Sequence, residues 1–190
     1  MKFLSYILLV IIMSISAADT NAKDAPLNPV SYVDLERFMG DWYVLANIPT
    51  RFEKGAVNAI ENYRLRDDGN IDITFTFRKD SPDGKLKDMK SRGIIVDEET
   101  NAEWKVRFFW FLKFPYYVID LDENYRFTTI GLPNRKHFWV MARTTELEDH
   151  EWESIKENLE EQGFDLNKMQ MVPQIWEKEE KVLTGEIPEL

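Results

Sequence analysis

The sequence predicts an all-β fold: an eight-stranded antiparallel up-and-down barrel, with one C-terminal helix packed outside it and a short extra strand. Three observations carry this. From Trp42 to Arg143, short segments of alternating apolar and polar residues succeed one another between clusters of turn residues. The links between them are short, which makes successive strands antiparallel neighbours. Beyond Arg143 the apolar period changes from that of a strand to that of a helix.

The elements follow in order. Asp34–Phe38 has the composition of one helical turn, and Gly40-Asp41-Trp42-Tyr43 then opens the first strand. Strands are predicted near 42–48, 57–66, 70–79, 86–97, 103–111, 116–122, 125–132 and 137–144. The clearest is IDITFTFR, residues 71–78, where Ile71, Ile73, Phe75 and Phe77 alternate with Asp72, Thr74, Thr76 and Arg78. Asp67-Asp68-Gly69-Asn70 before it is a hairpin turn by composition. Eight strands joined in this way can close on themselves, and closure removes the sheet edges that invite aggregation. Trp152, Ile155 and Leu159 then form the apolar stripe of one helix, and Gly163 stops it. The polar face of that helix is acidic, which disfavours a membrane-surface role. Residues 170–176 read as a ninth strand at an edge, where Pro173 is tolerated.

Composition limits the functional classes. With 44% hydrophobic and 13% aromatic residues the chain can build a sizeable core, and 190 residues suit one domain. The net charge of −10 and the lack of any basic block argue against nucleic-acid binding. The aromatic stretch 104–122 is broken by Lys105, Arg107, Lys113, Pro115 and Asp120, so it is not a transmembrane helix. At the N-terminus, Lys2, an apolar run over Ile7–Met13 and Ser16-Ala17-Ala18 make a signal peptide with a small-x-small cleavage pattern. Its removal leaves 23 basic against 34 acidic residues, a charge of −11. The expected organisation is signal peptide 1–18, lead segment 19–32, barrel domain 33–176 and acidic tail 177–190. Cysteine is absent and no Asn-x-Ser/Thr site occurs, so an exported bacterial protein of the periplasm or exterior fits best.

Two motifs bracket the meander: Gly40-Asp41-Trp42 at its start and Trp139-Val140-Met141-Ala142-Arg143 at its end. Together they resemble the first and third conserved regions of the lipocalin family. The resemblance implies that Trp42 plugs a closed barrel end and that Arg143 stacks across it. Asp122-Glu123-Asn124-Tyr125 stands where the family's second region, T-D-x-x-Y, should lie, with Leu121 in the Thr position. RFEKG at 51–55, YRLRDDG at 63–69 and VIDLDENY at 118–125 are similar to the bacterial outer-membrane and apolipoprotein D-like lipocalins. The resemblance spans about residues 33–176. Bacterial members of that group usually carry a cysteine after the signal peptide; none is present here, so a lipid anchor does not carry over.

If Trp42 and Arg143 mark the closed end, the turns at 67–70, 97–101 and 122–124 lie there too. The connections around 49–56, 79–85, 111–116 and 132–137 then surround an open mouth. Parity, since side chains alternate along a strand, places Val44, Ala46 and Ile48 inside with Trp42, and Trp139 and Met141 inside with Arg143. On the other strands the aromatic face is taken as inner: Phe75, Phe77, Trp104, Phe108, Tyr117, Ile119, Tyr125 and Phe127. Ala59, Glu61 and Tyr63 share one parity, so Glu61 either points inside or is turned to solvent by a bulge. Inside, its carboxylate would need a partner, such as an ethanolamine or choline ammonium. Ala59, Glu61, Tyr63, Phe75, Phe77, Trp104, Phe108, Tyr117, Ile119, Phe127, Trp139 and Met141 are the expected ligand-binding set; the alternative is that the interior rings meet and leave no cavity. Gly40, Trp42, Asp122, Tyr125 and Arg143 form the closed-end motif, and Trp110, Phe111, Leu112 and Phe114 an apolar mouth loop.

The resemblance implies a non-enzymatic carrier or store of a small amphipathic lipid, a fatty acid or lysophospholipid, with cell-envelope maintenance as its setting. An interaction or homodimerisation module using the mouth loop is an alternative, as is an enzyme on the same scaffold. His137 and His150 are the only histidines, and neither sits in a nucleophile-base or metal-ligand pattern. No cofactor or metal is expected. The partners expected are the lipid, a peripheral membrane contact and, at most, a second copy.

Overall fold

Polar turns delimit the strands, and the alternation between turns decides which face is wet. The computed structural model describes residues 25–109 and 112–176. The expected signal peptide, the acidic tail from 177 onward, and Trp110 and Phe111 lie outside the described residues. The order is α1 (Leu35–Phe38), β1 (Gly40–Asn47), β2 (Ala56–Leu65), β3 (Ile71–Lys79), β4 (Leu86–Ile95), β5 (Glu103–Phe109), β6 (Leu112–Leu121), β7 (Phe127–Gly131), β8 (Phe138–Ala142), α2 (Asp149–Glu161) and β9 (Gln170–Met171). Antiparallel neighbours run β2-β3-β4-β5-β6-β7-β8-β1, and a β1–β2 pairing closes the barrel, with β9 added on β1. The predicted all-β barrel, outer helix and extra strand are therefore all present. β9 is shorter than the predicted 170–176, and β6 starts four residues earlier than predicted.

In β3 the alternation is complete: Ile71, Ile73, Phe75 and Phe77 are buried while the residues between them are half-buried. At the preceding turn Gly69 has φ 75, a conformation in which glycine meets no steric penalty. β8, by contrast, is buried at every position. α2 covers its outer face, so both sides of the sheet are dry there and alternation vanishes. Ile155 and Leu159 of α2 pack on Ala46, Ile119, Phe138 and Val140 in a second core outside the barrel. The helix begins with Glu148 N donating to the Glu151 carboxylate at 2.9 Å. It ends at Gly163, with φ 82. Leu159→Ala is expected to destabilise the fold by about 2–5 kcal/mol, read as a lower urea midpoint, without reaching the barrel interior.

That second core corrects five inward assignments. Ala46 and Ile48 face α2, because a bulge between Val44 and Ala46 reverses the parity of β1. On β6 the residue opposite Trp104 is Tyr116, so Tyr116 and Val118 point inward, while Ile119 and Tyr117 belong to the outer cluster. Both faces of that strand are apolar, so the aromatic face was no guide. Phe127 also packs outward; Thr128 and Ile130 replace it. Tyr125 has φ 60 and lies in the turn, so its parity does not pass into β7. Phe108 is a sixth difference: at the bulge between Arg107 and Phe109 it stays 42% exposed at the rim.

The expected mouth loop is largely strand. Leu112 pairs with Phe109 and Phe114 with Val106. β7 joins only from Tyr117 onward, so residues 112–116 form an edge where Pro115 costs no ladder bond to β7.

β1 and β2 pair only from Gly40 to Tyr43. Above that point the segment after β9 lies between them. Gln174 Nε2 donates to the carbonyls of Val44 and Ala59 at 2.9 and 3.2 Å. Asn58, at a β2 bulge with φ 52, donates from Nδ2 to Ile175 O at 2.7 Å and accepts from Ile175 N at 2.6 Å. Val172 from this strap joins the interior core.

Candidate functional site

The closed end is built first, because it fixes which way the cup opens. Asp34 caps α1, accepting from Glu36 N and Arg37 N, and the turn carries Phe38 under the barrel with no exposed surface. Phe38 meets the rings of Trp42, Tyr63 and Trp104 at centroid distances of 5.2, 5.2 and 5.5 Å. Trp42 Nε1 donates to Phe38 O at 2.9 Å. The Arg143 guanidinium lies 3.7 Å over the Trp42 ring. It donates to the carbonyls of Arg37, Phe38, Met39 and Asp41 at 2.6–3.0 Å. Glycine is favoured at position 40 by its φ of 91 rather than by crowding, since a Cβ there would meet Arg143 Nη1 only at an ordinary 3.5 Å. Tyr125 ties the β6–β7 turn to the same plug, its hydroxyl accepting from Asp34 N at 2.7 Å and its ring lying 4.0 Å under Arg37. Asp122 holds that turn by accepting from Asn124 N and Arg126 N.

Above this floor the interior is mostly apolar, although the register also places Thr128, Ser91 and the exposed Lys87 on the inner face. Ala56, Ala59, Phe75, Phe77, Val106 and Leu132 line the mouth side, and Phe75 and Phe77 touch at 5.3 Å. Tyr116 bridges the cross-section, stacked on Trp104 at 5.8 Å and tilted against Trp139 at 6.0 Å. The Tyr63 and Tyr116 hydroxyls hydrogen-bond each other, and the Glu61 carboxyl is within hydrogen-bonding reach of both. The bulge foreseen for β2 occurs, yet Glu61 remains inside, 9% exposed. Burial first, and then the neighbouring Glu53, push Glu61 up to about 8. Glu53 is raised by burial as well. It accepts from Thr50 N at 2.8 Å and from Trp139 Nε1 at 3.3 Å. The barrel interior thus holds two weakly acidic carboxyls among aromatic walls, and a cation placed beside them would favour their ionised forms.

Of the expected ligand-binding residues, Ala59, Glu61, Tyr63, Phe75, Phe77, Trp104, Trp139 and Met141 converge on this interior. Phe108 sits at the rim, and Tyr117, Ile119 and Phe127 lie outside the wall. Sequence reasoning missed Glu53 and Tyr116. Glu53 lies on a loop with no period to mark it. Tyr116 is signalled only by its register with Trp104, which requires knowing where β6 begins. His137 Nδ1 is 2.9 Å from Ile48 O and its ring stacks on Trp139 at 6.2 Å, a bracing position at the mouth.

The described residues thus form a closed eight-stranded barrel, plugged at one end by an Arg–Trp pair and lined above it by buried apolar side chains. Residues 33–174 match the family model described as a lipocalin-like domain, and the chain belongs to the lipocalin family. It is 31% identical over 149 residues to the outer membrane lipoprotein Blc of Vibrio cholerae, covering 78% of this chain and 86% of that one. Apolipoprotein D of Bos taurus is 28% identical over 149 residues, 75% of this chain and 77% of that one. In three dimensions the chain is similar to lobster apocrustacyanin A1, with a TM-score of 0.60 and 13% identity over 74% of this chain and 79% of that one. Insecticyanin of the tobacco hornworm gives 0.60 and 17%, over 81% and 86%. At those identities the two structures speak for the fold alone.

Proposed function

We propose that the chain is a non-enzymatic carrier or store of a small amphipathic lipid, a fatty acid or lysophospholipid, taken tail-first or head-first through the mouth. The observation that carries this reading is the apolar, aromatic lining of the barrel interior in a chain that matches the lipocalin-like family model. Phe75, Phe77, Val106, Leu132 and Trp139 supply apolar wall for an acyl chain, at about 0.8 kcal/mol for each methylene buried. Glu61, with Glu53 beside it, supplies the one place suited to an ammonium headgroup. Export with removal of residues 1–18, and work in the periplasm or outside the cell, fit the relatives named as outer membrane lipoproteins.

Organic extraction of the purified mature protein and mass spectrometry test this. The expected result is a stoichiometric acyl lipid, with affinity weakened about ten-fold or more in Trp139→Ala and Phe77→Ala. Protein that never carries lipid and binds none when offered it would overturn the reading. The exposed Phe108, Leu112 and Phe114 favour one second reading, a homodimer through the rim. Sedimentation across concentrations decides it: a single monomer species would remove the dimer.

A further inference from the structure

The outer wall beside that rim carries charge of the opposite sign to the rest of the chain. In the sheet register Arg64 is opposite Asp72, Asp72 opposite Arg92, Arg92 opposite Arg107, and Arg107 opposite Lys113. Directly opposed residues share a face, so four cations and one carboxylate run in a single row across β2–β6. Asp72 is already held by Arg64, Arg66 and Arg92 at 2.6, 3.2 and 3.6 Å. Toward β6 the row has only cations, and Lys90 and Lys105 flank it on the same face. Among the described residues, Lys90, Lys105, Arg107 and Lys113 have no ion-pair partner. The outer-face acids of this region, Asp88 and Glu103, face Thr76 and Tyr117 instead. Like charges directly opposite on one face destabilise a sheet. In a chain of net charge −10, this arrangement is a local stability cost that a structural role does not explain.

The row climbs to the mouth where β5 and β6 meet, beside the exposed Phe108, Leu112 and Phe114, which are 42%, 36% and 38% exposed. The Phe108 and Phe114 rings touch at 6.1 Å. Exposed apolar side chains backed by a cationic collar are the chemistry of an interfacial membrane contact, with anionic headgroups neutralised by the collar. We propose that the β4–β6 corner docks on an anionic lipid bilayer, with Arg92, Arg107, Lys113 and Lys105 as the headgroup collar and Phe108, Leu112 and Phe114 as the inserted lip. This rests on the carrier reading for its purpose, since docking there sets the cup's mouth against the lipid source, but not for its observations.

Flotation of the mature protein with phosphatidylcholine vesicles, with and without about one third phosphatidylglycerol, tests it. Binding is expected to need the anionic lipid and to fall steeply with salt. Each cation near the surface contributes about five-fold to partitioning, so Arg107→Gln with Lys113→Gln should weaken binding about thirty-fold. Arg107→Glu separates function from structure. Set between Arg92 and Lys113 it should raise the melting temperature while abolishing flotation. Equal flotation with neutral vesicles, or none with either, overturns the proposal, as does capture by an acidic polymer but not by vesicles. Lipid mass spectrometry on the same samples keeps the two ideas apart. A loaded cup without flotation sinks only the docking surface, and flotation with an empty cup sinks only the carrier reading.

Discussion

Arg143→Ala is expected to lower the unfolding free energy by about 3–4 kcal/mol, measured by urea denaturation at neutral pH. The guanidinium serves four carbonyls, three of them from the end of α1, where no backbone donor follows to satisfy them. Deleting it takes the donor from the part-buried Met39 and Asp41 carbonyls, while Phe38 O keeps Trp42 Nε1 and Arg37 O meets water, and it removes the cation from the Trp42 face. The opposing effect is relief of desolvation, which pulls Arg143 down to about 10. The group stays charged at neutral pH, so that relief is the smaller quantity. Arg143→Lys should recover only part of the loss, because an ammonium cannot address four carbonyls from one plane or stack on the indole. A loss under 1 kcal/mol for the alanine variant would show that the plug is held by Phe38 and Trp42 packing alone.

The plug was legible because each of its parts is a residue type with few other uses at that position. Gly40, Trp42 and Arg143 at the two ends of a meander imply one another, and Asp122 and Tyr125 mark the turn between. The cup was legible only where one face of the wall meets water. On β2 and β3 the alternation of Tyr63, Ile73, Phe75 and Phe77 gives the inner side without help. On β1, β6 and β7 it does not, since α2 and the lead segment bury the outer face. Ala46, Tyr117, Ile119 and Phe127 therefore look as apolar as the residues facing the cup. Bulges at Val44–Ala46, Val57–Ile60, Arg107–Phe109 and Val118–Asp120 then break the count of two that parity needs. Tyr125 packs against the interior cluster as expected, but its positive φ in the turn disconnects its parity from the strand that follows. Glu53 and the strap at 172–175 reach the interior from irregular segments, where no period exists to read. Burial of the outer face and local register shifts, not weak hydrophobic signal, set the limit.

Glu61→Gln is expected to leave stability nearly unchanged near pH 4 and to raise it by about 3 kcal/mol at pH 7 and by up to about 5 kcal/mol at pH 9. The sign follows from linkage. In the unfolded chain the carboxyl titrates near 4.5, and in the folded barrel near 8. Below 4.5 both states hold the proton and no penalty exists. Between the two values the unfolded chain releases it while the folded one keeps it, so the folded state loses about 1.4 kcal/mol for each pH unit climbed at most. Above about 8 both are ionised and the penalty is constant. Asp120, raised to about 6 by burial, and Glu53 add slopes of the same sign to both proteins, so the difference between variant and parent isolates Glu61. Ligand binding then distinguishes the two lipid classes. A lysophosphatidylcholine headgroup is a zwitterion whose choline is permanently cationic; with that ammonium at Glu61 the ionised carboxylate is favoured, so affinity should rise as pH climbs from 6 to 8 and be flat in Glu61→Gln. A fatty acid carboxylate beside Glu61 favours the protonated form, and its affinity should fall over the same interval. Affinity for both lipids that is independent of pH in the parent protein would place the headgroup away from Glu61 and reverse the assignment of the cup's depth.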